Sequence, residues 1–371
     1  MKKVIVSVIN DLVTDQRVHR NCMTLHEMGF EVLLVGREQR KSQKLKQRVY
    51  QTHRMKLFFE KGFLFYAEFN FRLYLYLLLH KADALFSNDL DTLLPNFMTH
   101  KLKRIPLIFD SHEYFTETPE LTNRPVVKKV WKSIEKIVLP KLLALITVNE
   151  SIAQLFRKEY DLEVSVVRNI PIRNEPEVNL SKKDLDLPEN IKLILIQGAG
   201  LNIDRGVEEL VEAMVFVKNA RLLIIGDGDV LPVVKQKIID LDLSDKIILI
   251  PKQPFAKLQQ YTKHADLGVS IDKDTNLNYK YSLPNKIFDY IHAGIPMLCS
   301  PLIEIKSIIE KYEIGECIKS HDPKHIAERI TTILENEELL KKYKTNTLKA
   351  AEKLNWGFEK QKLMEAIKKH V

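Results

Sequence analysis

Cysteine is scarce in this chain, and the cysteines that are present have no pairing pattern. Cys22, Cys299 and Cys317 lie far apart among 371 residues. A disulfide framework needs several cysteines in a pairing pattern, and a zinc site needs cysteine or histidine ligands at short spacings, so neither is expected. We predict reduced thiols and a cytoplasmic protein without a metal site. The opening residues MKKVIVSVIN have too short an apolar part for a signal peptide, and they predict a first strand.

A long uninterrupted hydrophobic run is also missing. The nearest candidate is residues 61–82, KGFLFYAEFNFRLYLYLLLHKA, which is rich in aromatic residues. Glu68 and Arg72 interrupt it, and the apolar remainder is too short for a membrane-spanning helix. We interpret the segment as a helix buried between a sheet and a loop. The alternative is a helix that lies on a membrane surface beside basic neighbours.

Basic residues outnumber acidic residues only in the first half of the chain. Residues 1–170 hold 27 Lys and Arg against 19 Asp and Glu, whereas the remainder holds 30 of each, so the first half carries the whole net charge of +8. This excess suits an anionic lipid, a phosphorylated substrate or nucleic acid, or is simply a mildly basic surface. No nucleic-acid-binding module accompanies the charge, so we expect no nucleic-acid partner.

What the sequence does contain is a regular alternation of short apolar, β-branched runs with longer amphipathic runs. Near-continuous apolar strands separated by helices indicate parallel strands buried on both faces. Two such series predict two Rossmann-like, doubly wound α/β domains. A polar stretch with three prolines predicts the linker between them. The predicted segments are 1–170, the linker 171–190, 191–355, and a final helix over 356–371, whose return to the first domain is left open.

Ligands of such folds bind beyond the carboxyl ends of the strands. The run LILIQGAGLNIDRGVEELVEA places Gly198 and Gly206 after a strand, with Arg205 just before a helix, and LLIIGDGDV places Gly226 at the next strand end. The spacing is not the G-x-G-x-x-G of dinucleotide-binding turns. Glycines beside a helix N-terminus still suit a phosphate, and ordinary strand-to-helix turns are the alternative.

The segment NYKYSLPNKIFDYIHAGIPML, residues 278–298, predicts a second helix N-terminus. Pro284 suits the first helical turn, and Asn285 and Asp289 share one face of the helix. A carboxylate at Asp289 can support the helix dipole, or it can accept two sugar hydroxyl groups at once. Lys286 opposes the dipole, which indicates an anionic neighbour.

In combination these motifs resemble the retaining GT-B glycosyltransferases of family 4, also called group 1. The similarity extends over nearly the whole chain. It rests on QGAGLNIDRGVEELVEAM, LLIIGDGD, LQQYTKHADLGVSI and YSLPNKIFDYIHAGIPML, and in the first half on NDLDTLLP, IFDSHEYFTETPE and ALITVNESIAQLF. The resemblance implies two domains facing a cleft, with the acceptor on the first and a nucleotide-sugar donor on the second.

The resemblance also assigns residues to the donor. It implies that Asp289 holds the ribose and that Arg205 holds the diphosphate. Tyr281 stands where the family has the first acid of its E-x7-E pair, and Gly200 stands where the family has a second phosphate-binding cation. Lys286 or Lys280 could replace that cation. The full set of expected donor-binding residues is Gly198, Arg205, Gly226, Tyr281, Pro284, Asn285, Lys286 and Asp289.

In the first half, the resemblance implies that His112 faces the donor sugar and the reaction centre. Glu113 follows it and could support it. The first strand-to-helix turn carries Asn10, Asp11 and Arg17 where the family commonly has glycines, and these three residues are expected to line the acceptor pocket.

Two alternatives in the first half concern aspartates. Helix capping is an equally good interpretation of Asp15 in that first turn. Asp89 and Asp91 form a D-x-D, which in the unrelated GT-A fold binds a metal. The GT-B motifs around this D-x-D argue against metal ligation.

The predicted function is transfer of a sugar from a nucleotide diphosphate donor to a hydroxyl acceptor, with retained anomeric configuration. No cofactor is expected beyond the donor itself, and the acceptor is expected to be a saccharide or a lipid-linked molecule. The family suggests surface polysaccharide or glycolipid synthesis, in the cytoplasm or peripherally on the inner face of the plasma membrane. A GT-B-fold sugar-nucleotide epimerase and a non-enzymatic membrane-surface binding protein are the alternatives.

Overall fold

The chain divides into two units in the computed structural model, which describes residues 1–122, 124–173 and 179–371. One unit comprises Met1–Asn169 with Gly357–Val371, and the other comprises Ile170–Trp356. Residues 174–178 of the predicted linker lie outside the described residues. After them, Leu185 and Leu187 are buried in the core of the second unit, because their side chains pack with Ile170 and the apolar strand residues there.

Seven parallel strands form the sheet of the first unit. They are β1 (Lys3–Asp11), β2 (Glu31–Glu38), β3 (Gln51–Lys56), β4 (Ala84–Asn88), β5 (Leu107–Ser111), β6 (Leu145–Thr147) and β7 (Val164–Val166). Their order in the sheet is β3-β2-β1-β4-β5-β6-β7. The order reverses between β1 and β4, and in open α/β sheets such a reversal opens a crevice at the carboxyl ends of the strands.

Helices connect these strands. They are α1 (Gln16–Glu27), α2 (Gly62–Leu79), α3 (Leu90–Lys103), α4 (Pro119–Thr122), α5 (Pro125–Val138) and α6 (Glu150–Tyr160), with single 3₁₀ turns at Phe115–Glu117 and Leu139–Lys141. Asp15 caps α1, since its carboxylate accepts the N–H of Val18 at 3.0 Å. The capping interpretation of Asp15 is confirmed.

The second unit repeats the plan with six parallel strands. They are β8 (Lys192–Gly198), β9 (Ala220–Gly226), β10 (Ile247–Pro251), β11 (Leu267–Ser270), β12 (Met297–Cys299) and β13 (Gly315–Cys317), in the order β10-β9-β8-β11-β12-β13. The sheet order reverses between β8 and β11, so the second crevice is at their carboxyl ends.

The helices of the second unit surround this sheet. They are α7 (Val207–Ala213), α8 (Leu231–Asp240), α9 (Phe255–Lys263), α10 (Leu277–Lys280), α11 (Asn285–Ala293), α12 (Ile303–Tyr312), α13 (Pro323–Glu335) and α14 (Glu337–Lys353), with a 3₁₀ turn at Lys183–Leu185. Along β8, Ile194 and Ile196 enter one apolar core while Leu193 and Leu195 enter the other. A strand buried on both faces explains the near-continuous apolar runs, and the predicted α/β fold class is confirmed.

The last helix, α15 (Trp356–Lys368), belongs to the first unit apart from its first residue. Leu363 and Ile367 are buried, and the Glu359 carboxylate accepts the backbone N–H of Arg168 at 2.8 Å. A helix that follows the whole second unit in the chain therefore completes the first.

The aromatic segment at 61–82 forms α2, and only one side of it is buried. Phe65, Phe69, Leu73 and Leu77 point inward, whereas Phe71 on the other side is exposed. The interpretation as a helix buried between a sheet and a loop is therefore wrong for the outward face, where apolar side chains are exposed. No helix in residues 1–122, 124–173 and 179–371 is long and apolar enough to cross a bilayer.

Candidate functional site

Close backbone packing explains the glycines at the carboxyl edge of the second sheet. Gly226 has φ +148°, and a Cβ atom there would overlap the carbonyl oxygen of Gly198. The N–H of Leu201 donates to the carbonyl of Asp227 at 2.8 Å, which joins the turns after β8 and β9. Gly198 and Gly226 thus have a structural task whether or not a ligand is present, and their donor-binding role stays a prediction.

A buried carboxylate, Asp272, organises the cations at this edge. It lies two residues after β11 with no solvent exposure, and its Oδ2 accepts a hydrogen bond from Nη1 of Arg205 at 2.8 Å. The Nζ of Lys286 lies 3.7 Å from Oδ1 of the same carboxylate. The Arg205 guanidinium also stacks 4.1 Å above the ring of Tyr279. One carboxylate therefore holds two cations in fixed positions at the sheet edge.

The two cations respond differently to this environment. Burial works against the charge of Arg205, but Asp272 and Tyr279 together outweigh it and raise the pKa of the guanidinium. Burial is the larger effect on Lys286 and lowers its pKa, with Asp272 working in the opposite direction. One carboxylate is shared between the half-buried Arg205 and the buried Lys286, so an incoming anion would relieve the cost of keeping Lys286 charged.

The helix that carries Lys286 begins one residue later than expected. Pro284 is the extended N-cap residue of α11, rather than part of its first turn, and Asn285 is the exposed first helical residue. Tyr281 ends the short helix α10 and is half-buried. Lys280 lies 3.5 Å from Asp274, in an exposed ion pair. Lys286 is thus the better placed of the two cations proposed to replace the one missing at Gly200.

Asp289 lines a cavity of about 240 Å³ in the second unit. Its carboxylate accepts a hydrogen bond from Nε2 of Gln197 at 3.0 Å, and Thr262 donates its hydroxyl to Oε1 of Gln197 at 2.7 Å. These two hydrogen bonds, made by residues on β8 and α9, fix the orientation of the Asp289 carboxylate. Arg173 and Lys263 also line the cavity, so both a fixed acceptor and positive charge face the same space.

His112, after β5 in the first unit, lies between two carboxylates. Its Nδ1 is 2.9 Å from Oδ2 of Asp89, and its Nε2 is 3.3 Å from Oδ2 of Asp110 without good hydrogen-bond alignment. Burial alone would lower the pKa of His112, but Asp89 and Asp110 together raise it to about 10. The side chain is 18% exposed. His112 is therefore a cation at neutral pH and can donate, but not accept, a proton.

Arg17 forms a buried ion pair with Asp110. Its Nε and Nη2 donate to the two carboxylate oxygens at 3.0 and 2.6 Å, and its Nη1 donates to the carbonyl of Val167 at 2.8 Å. Asn21 adds a hydrogen bond to Asp110 at 2.8 Å. Burial works against the charge of Asp110, but Arg17 and His112 hold the pKa of the carboxyl well below its usual range. These contacts account for Arg17 without a substrate.

The other two residues expected in the acceptor pocket also have protein partners. The Nδ2 of Asn10 donates to the capping carboxylate of Asp15 at 3.0 Å. Asp11 accepts a hydrogen bond from Arg54 at 3.1 Å and another from the hydroxyl of Ser42. An acceptor contact of Asn10, Asp11 and Arg17 stays a prediction.

The D-x-D aspartates have separate environments. Asp89 has φ +60°, a conformation that L residues rarely adopt, and its carboxylate accepts the backbone N–H of His112 at 2.8 Å. Asp91 is buried, and both burial and the charge of Asp89 raise its pKa well above the usual value. Among the residues that the structure describes, no group of three or more His, Cys, Asp and Glu side chains could hold a metal ion.

Three residues of these networks were not predicted from the sequence: Gln197, Asp110 and Asp272. All three lie at or just after the carboxyl end of a strand in an apolar run. Position gives a signal, because a polar side chain at that end of a parallel strand faces the crevice. Several of their partners could not be seen, because they are far away in the chain: Thr262 is 65 residues from Gln197, Arg205 is 67 from Asp272 and Arg17 is 93 from Asp110.

The comparisons with known proteins agree with this architecture. The family description "Glycosyl transferases group 1" matches residues 178–350, and "Glycosyltransferase Family 4" matches residues 15–171. No curated protein sequence shows significant similarity to the chain.

Several solved structures share the fold at low identity. Sucrose-phosphate synthase from Thermosynechococcus elongatus superposes with a TM-score of 0.82 at 15% identity, covering 100% of this chain and 99% of that one. Anabaena HepE in complex with UDP-glucose gives 0.76 at 13%, covering 100% of both chains. WaaG, a glycosyltransferase involved in lipopolysaccharide biosynthesis, gives 0.73 at 14%, covering 94% of this chain and 95% of that one. With a family match on each of its two units, the chain belongs to the group 1 glycosyltransferases of the GT-B fold.

Proposed function

We propose that this glycosyltransferase takes its sugar from a nucleoside diphosphate donor bound by the second unit. The observation that carries the proposal is the pair of cations, Arg205 and Lys286, held by Asp272 at the carboxyl edge of the sheet. Lys286 is in the first turn of α11, where backbone N–H groups also point at an incoming anion. Fixed donors at that point suit a diphosphate, whose negative charge grows as it leaves the sugar.

Asp289 supplies the second half of the donor site. A carboxylate can accept both hydroxyl groups of a ribose, and Gln197 fixes its orientation beside a cavity of about 240 Å³. Solved structures of Anabaena HepE, which shares the fold, contain UDP or UDP-glucose. Those complexes support a nucleotide-sugar donor for this chain as well.

His112 acts in this proposal as a charged hydrogen-bond donor. Its raised pKa of about 10 rules out a general base at neutral pH, so it cannot activate the acceptor hydroxyl. The contact with the donor sugar proposed for His112 would therefore use a charged N–H group as a hydrogen-bond donor. We propose that the departing phosphate accepts the acceptor's proton on the same face of the sugar, which gives retention of configuration.

The acceptor is proposed to be a saccharide or a lipid-linked hydroxyl compound in surface polysaccharide or glycolipid synthesis. WaaG, which shares the fold, belongs to lipopolysaccharide biosynthesis. No cofactor other than the donor and no metal ion enters the proposed reaction.

Thermal shift with a panel of nucleoside diphosphates and their sugars tests the donor assignment. One base should stabilise the protein by RT ln(1 + [L]/Kd), and Asp289→Asn should abolish that shift. Asp274→Asn, which alters only the exposed ion pair with Lys280, is the matched control. No stabilisation by any nucleotide would contradict the proposal. Mass spectrometry of products formed from donor alone separates an epimerase from a transferase, since only the epimerase converts donor without acceptor.

A further inference from the structure

The outward side of α2 is apolar along its whole length. Its exposed positions recur every three or four residues, and none of them is charged: Leu64, Ala67, Phe71, Leu75 and Leu79. Phe71 is 63% exposed and Leu79 is 82% exposed. Surface helices normally carry polar residues on this side, and single exposed apolar residues need no explanation, whereas a continuous row does. We call these five residues the apolar row.

The two neighbouring helices extend the apolar row. The rings of Tyr66 on α2 and Trp131 on α5 are in edge contact at 5.3 Å, and Nζ of Lys103 on α3 donates to the carbonyl of Leu77 on α2 at 2.7 Å. Further exposed apolar side chains on α3 and α5 are Met98, Leu102, Val126, Val127, Val130 and Ile137. We call the exposed residues of α2, α3 and α5 together the outer surface.

Charge on the outer surface has a single sign. Exposed basic residues lie between its apolar ones: Lys101, Lys129 and Lys136. Within 62–79, 90–103 and 125–138, all described by the structure, the acids are Glu68, Asp91 and Glu135. Glu68 pairs with Arg72 at 2.7 Å and accepts the N–H groups of the loop before α2, while Asp91 and Glu135 are buried. No acid on these helices thus opposes the lysines.

We propose that the outer surface docks on an anionic lipid bilayer. Leucine and phenylalanine side chains would enter the boundary between headgroups and acyl chains, while the lysines would contact lipid phosphates. Helix α2 would lie in the plane of the interface, since no described helix can span the bilayer. A second copy of this chain fits less well, because a symmetric contact would bring together two surfaces of the same positive charge. The inference does not depend on the nature of the donor.

Vesicle co-sedimentation of the full chain tests this docking. The probes are vesicles of phosphatidylcholine alone and of equal parts phosphatidylcholine and phosphatidylglycerol. We expect binding to the anionic vesicles that weakens as salt is added. The variant Phe71→Gln with Leu75→Gln should lower the partition coefficient roughly tenfold or more, because both side chains lose their buried area in the interface. Lys129→Gln should lower it about fivefold.

The matched control is Phe358→Gln. Phe358 is 57% exposed, and it lies on α15, where Lys360 pairs with Glu27 of α1 at 2.8 Å. This variant should bind vesicles like the wild type. All three variants replace exposed side chains, so unchanged circular dichroism and melting temperature will show that the fold is intact.

Three results would overturn the proposal. The first is no binding to the anionic vesicles. The second is binding that the change at Phe71 and Leu75 leaves unaltered, or that Phe358→Gln lowers equally. The third is concentration-dependent self-association in sedimentation velocity that the Phe71 and Leu75 change abolishes, which would make the outer surface an interface between protein chains.

Discussion

Replacing Arg17 by Met removes the guanidinium from a buried ion pair while keeping much of the side-chain volume. Arg17 and Asp110 are both buried, and two hydrogen bonds of 3.0 and 2.6 Å join them. Without Arg17, the Asp110 carboxylate would keep only Asn21 and the nearby His112 as partners. Breaking a buried pair by removing one partner typically costs about 3–5 kcal/mol. We predict a loss of this size in the free energy of unfolding of the first unit.

Urea unfolding at pH 7, followed by circular dichroism, measures the loss. The control is Arg40→Met, since Arg40 is 80% exposed, lies 3.5 Å from Glu60 and should matter by less than ~0.5 kcal/mol. The double variant Arg17→Met with Asp110→Asn should recover at least half of the loss. A neutral amide costs less to bury, and its oxygen can still accept the hydrogen bond from Asn21.

The pH dependence gives a second signature. The folded-state pKa of Asp110 is depressed, so its contribution to stability is present above the unfolded value of about 3.9 and is lost as the pH falls below it. Arg17→Met removes the main cause of the depression. The difference in stability between wild type and variant should therefore shrink below about pH 4. A loss under ~1 kcal/mol at pH 7, together with a large rise in KM for the acceptor, would refute this reasoning and favour a substrate contact for Arg17.

The remaining predictions concern three other positions. The pKa of His112 is raised to about 10, so its contribution to the free energy of unfolding should be complete below pH 6.5 and disappear as the pH rises toward 10. The stability difference between His112→Gln and the wild type should therefore shrink over that pH range. Asp272→Asn should weaken diphosphate binding by tenfold or more in calorimetry with little effect on a free nucleoside, because Arg205 loses its fixed position. Gly226→Ala should destabilise the second unit by more than ~2 kcal/mol in thermal unfolding, since its Cβ meets the carbonyl of Gly198; an unchanged melting temperature would contradict the packing described here.

The order of strands and helices follows from the sequence with little error. Every predicted apolar run became a strand, because burial on both faces leaves only apolar residues in the middle of a parallel sheet. One strand differs in position: the apolar run RMKLFF, residues 54–59, predicts a strand over those residues, whereas β3 lies three residues earlier, at Gln51–Lys56. The N–H groups of Phe58 and Phe59 donate to Glu68 of α2 instead of to a neighbouring strand. A side chain ten residues after Phe58 thus binds the N–H groups that follow β3, and no local pattern shows that.

The sequence predicted where in the fold the candidate site lies, but not which residues pair with one another there. Residues after the strands of each sheet were expected to form it, and Arg205 and Lys286 do meet at one such edge. Asp272, which holds them together, follows an apolar run and has no motif of its own. Arg17 looked available because its partner Asp110 is 93 residues away. A single sequence does not show which charged residues pair with one another when they lie far apart in the chain.

The position of α15 has a consequence for the order of events during synthesis. The first unit cannot be complete when its own 169 residues have been translated, because Leu363 and Ile367 supply buried side chains and Glu359 binds Arg168. Domains of a growing chain generally fold in order of emergence. Here the first unit cannot finish folding until the whole second unit has left the ribosome, and one of its apolar faces stays uncovered until then. The unit that begins the chain is thus the last to be finished, and chaperone binding to nascent chains should persist until α15 emerges.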